Sequence, residues 1–287
     1  TIRDLIDVIA QRRPEVFIVI GGENATAFHT KMLEQQPHLD CCVLGEGEAT
    51  MVELCDRLAA GRSLAGMTGI AMREAPESPE ILDAGLAVRL TKKEVNTQIP
   101  RPAWDLVPLD EYFKHYPFFG VDRGRSIQVL GTRGCPYKCS FCSSPQMWTT
   151  KYVVREPEDV VDEIASYVDK YGIGNVNFVD LTAATNRKWT LGLCDALEKA
   201  DLDVDWQLPV GTRIEAIDRE VLQRIYDTRC RNITFAPESG SQRMLEIMDK
   251  RVSLEKVQQA IVDGEDIGLH TMINILIGHP HETRRDL

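Results

Sequence analysis

Apolar residues recur along this chain in two alternating rhythms. Short apolar-rich runs of strand length, Val16-Phe17-Ile18-Val19-Ile20 first among them, end in glycine or in a polar residue. A continuous run of that length marks a strand buried on both faces of a parallel sheet. Between such runs stand stripes at helical spacing: Met51, Leu54, Cys55 and Leu58; Val160, Val161, Ile164 and Val168; Val221, Leu222 and Ile225. Strands that alternate with helices of this length predict parallel βα units.

Two stretches carry the pattern, residues 1–92 and 126–287. In the first, a helix over 2–11 leads to a strand over 16–20 that ends in Gly21-Gly22. A second strand over 41–44 is followed by Gly45-Glu46-Gly47-Glu48, then by a helix over about 49–60 that Gly61 caps. Residues 69–72 and 87–90 read as a closing hairpin. In the second stretch five strands are predicted, near 127–130, 176–179, 206–210, 232–236 and 271–277. Helices begin at Pro157, near Arg187, at the N-cap Asp218 and near Leu254. Residues 93–125 form a connector rich in proline (Pro100, Pro102, Pro108, Pro117). It also gathers Trp104, Tyr112, Phe113, Tyr116, Phe118 and Phe119. These aromatics are expected to staple the connector to both domains.

Composition narrows the function classes. The 287 residues suffice for two domains, and the net charge of −11 argues against a broad nucleic-acid or anionic-membrane surface. No apolar stretch is long enough to span a bilayer, and no signal peptide is visible. The cysteine usage suits the cytosol. The chain starts without a Met and stops soon after a strand, so a fragment of a longer protein is expected.

The chemistry concentrates in Gly131-Thr132-Arg133-Gly134-Cys135-Pro136-Tyr137-Lys138-Cys139-Ser140-Phe141-Cys142, three cysteines at C-x3-C-x2-C spacing. Thiolates are the preferred ligands of iron–sulfur clusters, and three of them leave one iron of a 4Fe–4S cubane without a protein ligand. A disulfide with a spare thiol, or zinc, are the alternatives. Zinc usually wants a fourth Cys or His at finger-like spacing, and no histidine follows within the next hundred residues. Cys41, Cys42, Cys55, Cys194 and Cys230 lie in apolar strands or helices and read as small core hydrophobes. The cysteine loop, Asp180, Arg213, Glu238-Ser239-Gly240 and Gly278 all follow predicted strands, where functional groups of parallel βα barrels collect.

At this loop, with Phe141 before its third cysteine, the chain resembles the radical S-adenosylmethionine (radical SAM) enzymes. The segment 99–109 and the N-terminal third are similar to the cobalamin-binding subgroup of that family. The resemblance implies an α/β chain with a partial Rossmann-like cobalamin-binding domain (1–92), a linker (93–125) and a partial (β/α)6 TIM-type barrel (126–287). Cys135, Cys139 and Cys142 would hold the 4Fe–4S cluster, whose open iron chelates S-adenosylmethionine for cleavage to a 5′-deoxyadenosyl radical. Phe141, Asp180, Arg213, Glu238, Ser239, Ile275 and Gly278 match positions that contact S-adenosylmethionine. Of these, Asp180 matches the methionine amino contact, Arg213 and Glu238-Ser239 a carboxylate or ribose contact, and Ile275 to Gly278 the adenine edge. Gly21, Gly22, Gly45, Glu46 and Gly47 match the positions that hold the cobalamin tail. The subgroup's cobalt-ligating D-x-H-x-x-G loop has no counterpart among His29, His38, His115, His270, His279 and His281.

The implied activity is cobalamin-dependent methyl transfer to an unactivated carbon or phosphorus centre. The substrate would be a small molecule, lipid or natural product, and the electron donor a flavodoxin or ferredoxin. A radical ring closure, rearrangement or oxidation without methyl transfer is the rival. A non-catalytic cluster- or zinc-binding interaction protein is the alternative from another class.

Overall fold

The computed structural model describes residues 1–75, 78–115 and 120–286. They form two compact units, one comprising 1–91 with 142–150, the other 92–141 with 151–287. Tyr116, Pro117, Phe118 and Phe119 of the connector lie outside the described residues.

The first unit runs α1 (Ile2–Arg12), β1 (Val19–Ile20), α2 (Glu23–Gln35), β2 (Cys41–Val43), α3 (Glu48–Ala59), β3 (Ile70–Arg73) and β4 (Ile81–Asp83), with α6 (Ser144–Trp148) returning to it. A reciprocal Thr1–Asp4 capping box starts α1. The sheet order is β1-β2-β3-β4, with β1 and β2 parallel and the others antiparallel. Ile6, Ile18, Leu33, Leu39, Cys42, Leu44 and Ala71 make one buried cluster, and Cys41, Val43, Leu54, Leu64, Met67 and Ile70 another. Alternation along β2 sends Cys42 to the first and Cys41 with Val43 to the second.

The predicted hairpin is corrected. The partner of β3 is β4, not residues 87–90. Asp83 accepts a hydrogen bond from the Gly85 amide, at φ +74°, and turns the chain after β4. Beyond that turn Ala87 donates to the Leu44 carbonyl and Leu90 to the Glu46 carboxylate. Residues 87–90 therefore follow the C-terminal end of β2 instead of pairing with β3.

The second unit opens with two short helices, α4 (Lys92–Thr97) and α5 (Leu109–His115). Trp104 and Phe113, expected to staple the connector, are half-buried against this unit's core. There follow β5 (Ser126–Val129), the ribbon strands β6 (Thr132–Arg133) and β7 (Val153–Val154), α7 (Pro157–Tyr171), β8 (Asn175–Phe178) and α8 (Arg187–Ala200). Next come β9 (Asp205–Thr212), α9 (Arg219–Asp227), β10 (Cys230–Glu238), α10 (Gln242–Ile247), α11 (Leu254–Ile267) and β11 (His270–Ile275). The five long strands make one parallel sheet in the order β11-β10-β9-β8-β5. Each helix begins as its sequence dictates: Pro157 in the first turn of α7, and Asn186, Asp218, Ser241 and Ser253 as side-chain N-caps of α8, α9, α10 and α11.

Alternate residues of this sheet differ in kind. Ile127, Val129, Val176, Phe178, Trp206, Leu208, Ile233 and Phe235 belong to the main core with the stripes of α7, α8, α9 and α11. The intervening positions, Ser126, Asn175, Asn177, Gln207, Asn232 and Thr234, are buried and polar. Asn175 donates to Ser126 at 3.0 Å and to Asn177 at 3.0 Å, and Gln207 reaches Asn177 at 3.3 Å. The polar row knits neighbouring strands on the face opposite the helices.

Phe178 and Trp206 meet edge to face at 5.5 Å in the middle of that core, and Trp206 donates its indole N–H to the Thr228 carbonyl at 2.7 Å. Trp206→Ala is expected to cost about 3–5 kcal/mol, measured as a lower urea midpoint. A loss below about 1 kcal/mol would show that this pair does not anchor the sheet.

Candidate functional site

The cysteine loop leaves the C-terminal end of β5 through Gly131 and returns through β7. Its two limbs are stitched by antiparallel pairing of Thr132 with Val154 and Arg133 with Val153. The base is gripped from three sides. Asp180, two residues past β8 and fully buried, accepts hydrogen bonds from the Gly131 amide at 3.2 Å and from the Thr132 amide. Arg155 donates its amide to the Gly131 carbonyl at 2.9 Å and its guanidinium to the Leu130 carbonyl at 2.8 Å, while pairing with Asp159 and Glu163. Trp189 donates its indole N–H to the Arg155 carbonyl at 2.7 Å. The Trp189 ring lies 2.4 Å from where a Cβ on residue 131 would stand, which is why the position is glycine.

The distal part of the loop leans on the segment after α10. The Ser140 amide donates to the Met248 carbonyl at 2.9 Å. Lys250, buried and paired with Glu238 at 3.1 Å, stands 5.9 Å from the Phe141 ring. Arg213, 4% exposed, follows β9 and stacks 3.5 Å over the Tyr137 ring. It forks onto Glu215, donates to the Arg251 carbonyl at 2.8 Å and directs an N–H at the Cys139 sulfur at 3.8 Å. Cys135 and Cys139 are half-buried and Cys142 is exposed.

The donor set fits a cluster of iron and sulfide. Three thiols share one loop, and a buried guanidinium faces one of them, which favours the thiolate form that ligates iron. Among the described residues no three His, Cys, Asp or Glu side chains are gathered around a single-ion site. A cubane asks for no such gathering, because each of its thiolates binds a different iron.

The sequence-predicted contacts for S-adenosylmethionine fall into two groups. Asp180, Arg213 and Glu238 already hold protein groups: loop amides, the cysteine limb and Lys250. Glu238 does so at φ +71°, a conformation that side chains rarely adopt, and its carbonyl takes the Leu276 amide at 2.9 Å. Ser239 is buried and accepts from the Ser241 amide at 3.1 Å. The helix after this turn, α10, is capped by Ser241 rather than by Glu238. Ile275 is exposed, and Gly278, at φ +93°, donates its amide to Glu282 at 2.7 Å.

In the first unit, Gly21, Gly22, Gly45, Glu46 and Gly47 line one cavity of about 470 Å³ at the C-terminal ends of β1 and β2. Met51, Met147 and Trp148 complete its wall, and its lining contains no histidine. Glu46 is buried, pairs with Arg89 at 3.1 Å and accepts from the Leu90 amide at 2.7 Å. Glycines that present bare backbone beside an apolar wall suit a large flat ligand with a polar tail, so the residues fit the lower part of a corrinoid. Glu23, at the start of α2, accepts hydrogen bonds from Ser143, Ser144 and the Trp148 indole, at 3.2, 3.2 and 2.8 Å. It holds α6 against that cavity.

Sequence reasoning missed Glu23, Arg155, Trp189 and Lys250. None has a motif. Each acts through a partner more than twenty residues away or, for Lys250, through a turn that the pattern did not resolve. Burial pushes the Cys41 and Cys42 thiols up to about 12 and Cys194 to about 11, in keeping with inert core residues. Cys55 departs from expectation: it is exposed on α3.

Burial pushes the Asp180 carboxyl up to about 6, against the pull of the hydrogen bonds it accepts. An unfolded aspartate titrates near ~3.9. Between about 4 and about 6 the native chain thus keeps a proton that the unfolded chain has released, so stability falls as pH rises through that window and is level above it. Asp180→Asn abolishes this dependence and leaves one loop amide without its acceptor, at a cost of about 1–3 kcal/mol. In urea titrations the wild type's advantage over the variant should shrink as pH rises from about 4 to about 6. A difference that stays constant would remove Asp180 as a buried titrating group.

Comparison with known proteins bears on both units. Residues 129–287 match the model of the Radical SAM superfamily, and residues 1–55 that of the B12 binding domain. The chain is 30% identical over 278 residues to the uncharacterized methyltransferase PH0819 of Pyrococcus horikoshii, covering 95% of this chain and 56% of that protein. It is 27% identical over 294 residues to the anaerobic magnesium-protoporphyrin IX monomethyl ester cyclase of Rubrivivax gelatinosus, covering 98% and 49%. The solved structure of the radical S-adenosylmethionine methyltransferase TsrM from Kitasatospora setae, with tryptophan and a SAM analog bound, shares the fold. Its TM-score is 0.74 at 19% identity, over 99% of this chain and 54% of that one. The chain thus spans about half the length of the relatives it matches. With the cysteine loop, the parallel sheet and these matches together, the chain belongs to the radical SAM superfamily and carries a B12-binding domain ahead of its radical SAM domain.

Proposed function

We propose that this chain is the corrinoid- and cluster-bearing part of a methyltransferase that acts on an unactivated carbon or phosphorus centre. The observation that carries the reading is the pairing, on one chain, of a C-x3-C-x2-C loop with a B12-binding match whose five glycine and acidic positions line one cavity. When bound, the cluster supplies an electron that splits S-adenosylmethionine into methionine and a 5′-deoxyadenosyl radical, and the corrinoid supplies the methyl group.

This chain's residues position and shield. Cys135, Cys139 and Cys142 hold the cluster. Asp180, Arg155 and Trp189 fix the root of their loop. Phe141, Ser239, Ile275 and Gly278 offer ring, hydroxyl and strand-end backbone to the adenosyl moiety. Gly21, Gly22, Gly45, Glu46 and Gly47 hold the corrinoid's polar tail, and Trp148 closes the cavity wall. The substrate would be a small molecule, lipid or natural product, and the electron donor a flavodoxin- or ferredoxin-like protein. Among the described residues no helix is long and apolar enough to cross a membrane; placement in the cytoplasm is part of the proposal and rests on the cysteine usage. The similarity to a cyclase favours a second reading, ring closure without methyl transfer.

Two measurements test the reading. Anaerobically reconstituted full-length protein turning over its substrate should release S-adenosylhomocysteine together with 5′-deoxyadenosine; 5′-deoxyadenosine alone would overturn methyl transfer in favour of a radical ring closure, rearrangement or oxidation. A Cβ at Gly21 meets only ordinary contacts with Val43, and the backbone there is not in the left-handed region. Gly21→Phe should therefore fill the cavity without straining the backbone. It should weaken hydroxocobalamin binding by about tenfold or more, or about 1.4 kcal/mol, with iron content unchanged. Equal binding by both proteins would place the corrinoid elsewhere.

A further inference from the structure

We infer that Arg213 is a positioning residue that sets the electron affinity of the cluster through Cys139, and that Glu215 moderates its charge. The inference rests on the cluster assignment above and adds a role that neither the cysteine spacing nor the comparisons supply.

The guanidinium is almost wholly removed from water, yet none of its three nitrogens is idle. Nε reaches both Glu215 oxygens, at 3.0 and 3.1 Å. Nη2 takes Glu215 at 2.5 Å and the Arg251 carbonyl at 2.8 Å. Nη1 alone faces the cysteine loop, 3.8 Å from the Cys139 sulfur, a hydrogen-bonding distance for that element. Stacking on Tyr137, two residues before Cys139, fixes the plane of the fork. The fork cannot rotate away without giving up several contacts at once. Glu215 is one-third exposed, so water screens part of its charge, whereas Arg213 is not open to such screening. The sulfur therefore faces a net positive neighbour.

Reduction adds one electron to the cluster and so one negative charge to the thiolate-bound core. Hydrogen bonds to cluster sulfurs and nearby charge are among the factors that set its potential. A fixed cation donating to Cys139 favours the reduced form. Removing that cation makes reduction harder, and removing its carboxylate partner makes reduction easier. The opposite signs separate an electrostatic role from a merely structural one.

The test is an EPR-monitored redox titration of the anaerobically reconstituted full chain, with iron and sulfide content measured on each sample. Arg213→Gln should move the midpoint to a more negative potential, and Arg213→Lys, which keeps the charge, should recover most of that shift. Glu215→Gln should move the midpoint the other way. Should Arg213→Gln fail to fold, the Glu215→Gln titration still decides. A midpoint unchanged in Glu215→Gln, or shifted in the same direction in both neutral variants, overturns the inference while leaving the radical assignment intact. Failure of the wild-type chain to take up iron and sulfide would overturn that assignment itself.

Discussion

The grip of one buried carboxylate on two consecutive backbone amides underlies the arrangement of the second unit. Asp180 stands just beyond β8 and binds the chain just beyond β5, its immediate neighbour in the sheet. A parallel sheet delivers all its strand ends to one edge but leaves the following loops undefined. Here a side chain from one strand end fastens the loop that leaves the next. The ribbon β6–β7, the Arg155 contacts and the Trp189 ring packed on Gly131 all add to that fastening. The thiol-bearing loop can be long and irregular because its root is not.

The sheet itself is divided by the two-residue period of its strands. One face is aliphatic and aromatic and takes the helices. The other is a line of amides and hydroxyls that bond across strands. A buried polar row costs stability where its atoms lack partners. It gives register in return, since sliding one strand by a residue would set amides against the helices. Strand order and loop positions at the functional edge depend on that register.

Much of this was legible in the sequence, and what was missed has a common cause. The five strands of the sheet and four of its helices follow from apolar runs, stripes and N-caps, because those signals act within a few residues. The C-x3-C-x2-C loop was legible because cluster ligation imposes short spacing. Gly21, Gly22, Gly45, Glu46 and Gly47 converge as their positions after two adjacent parallel strands require. Helix α2 was missed because its apolar residues are sparse and Phe28 breaks its helical geometry. The partner of β3 was misassigned because Ala87-Val88-Arg89-Leu90 has the better strand composition. The pairing of β3 with β4, the turn at Gly85 and the bonds to Leu44 and Glu46 decide against it. Arg213 was singled out by its position after a strand. Its fork onto Glu215 and its approach to Cys139 depend on partners that no local pattern reveals.

The short segment 142–150 returns from the second unit to the first, where Glu23 fastens Ser143, Ser144 and Trp148. The backbone thus passes between the units at three places, near residues 91, 141 and 150. No single scission frees either body whole. A cut at the proline-rich connector would leave Glu23 without the residues it holds and the glycine-walled cavity without part of its wall. The two family matches are colinear along the chain, yet each compact unit is built from two separate stretches of it, so exchanging one unit for a homologue means transplanting two stretches of chain together.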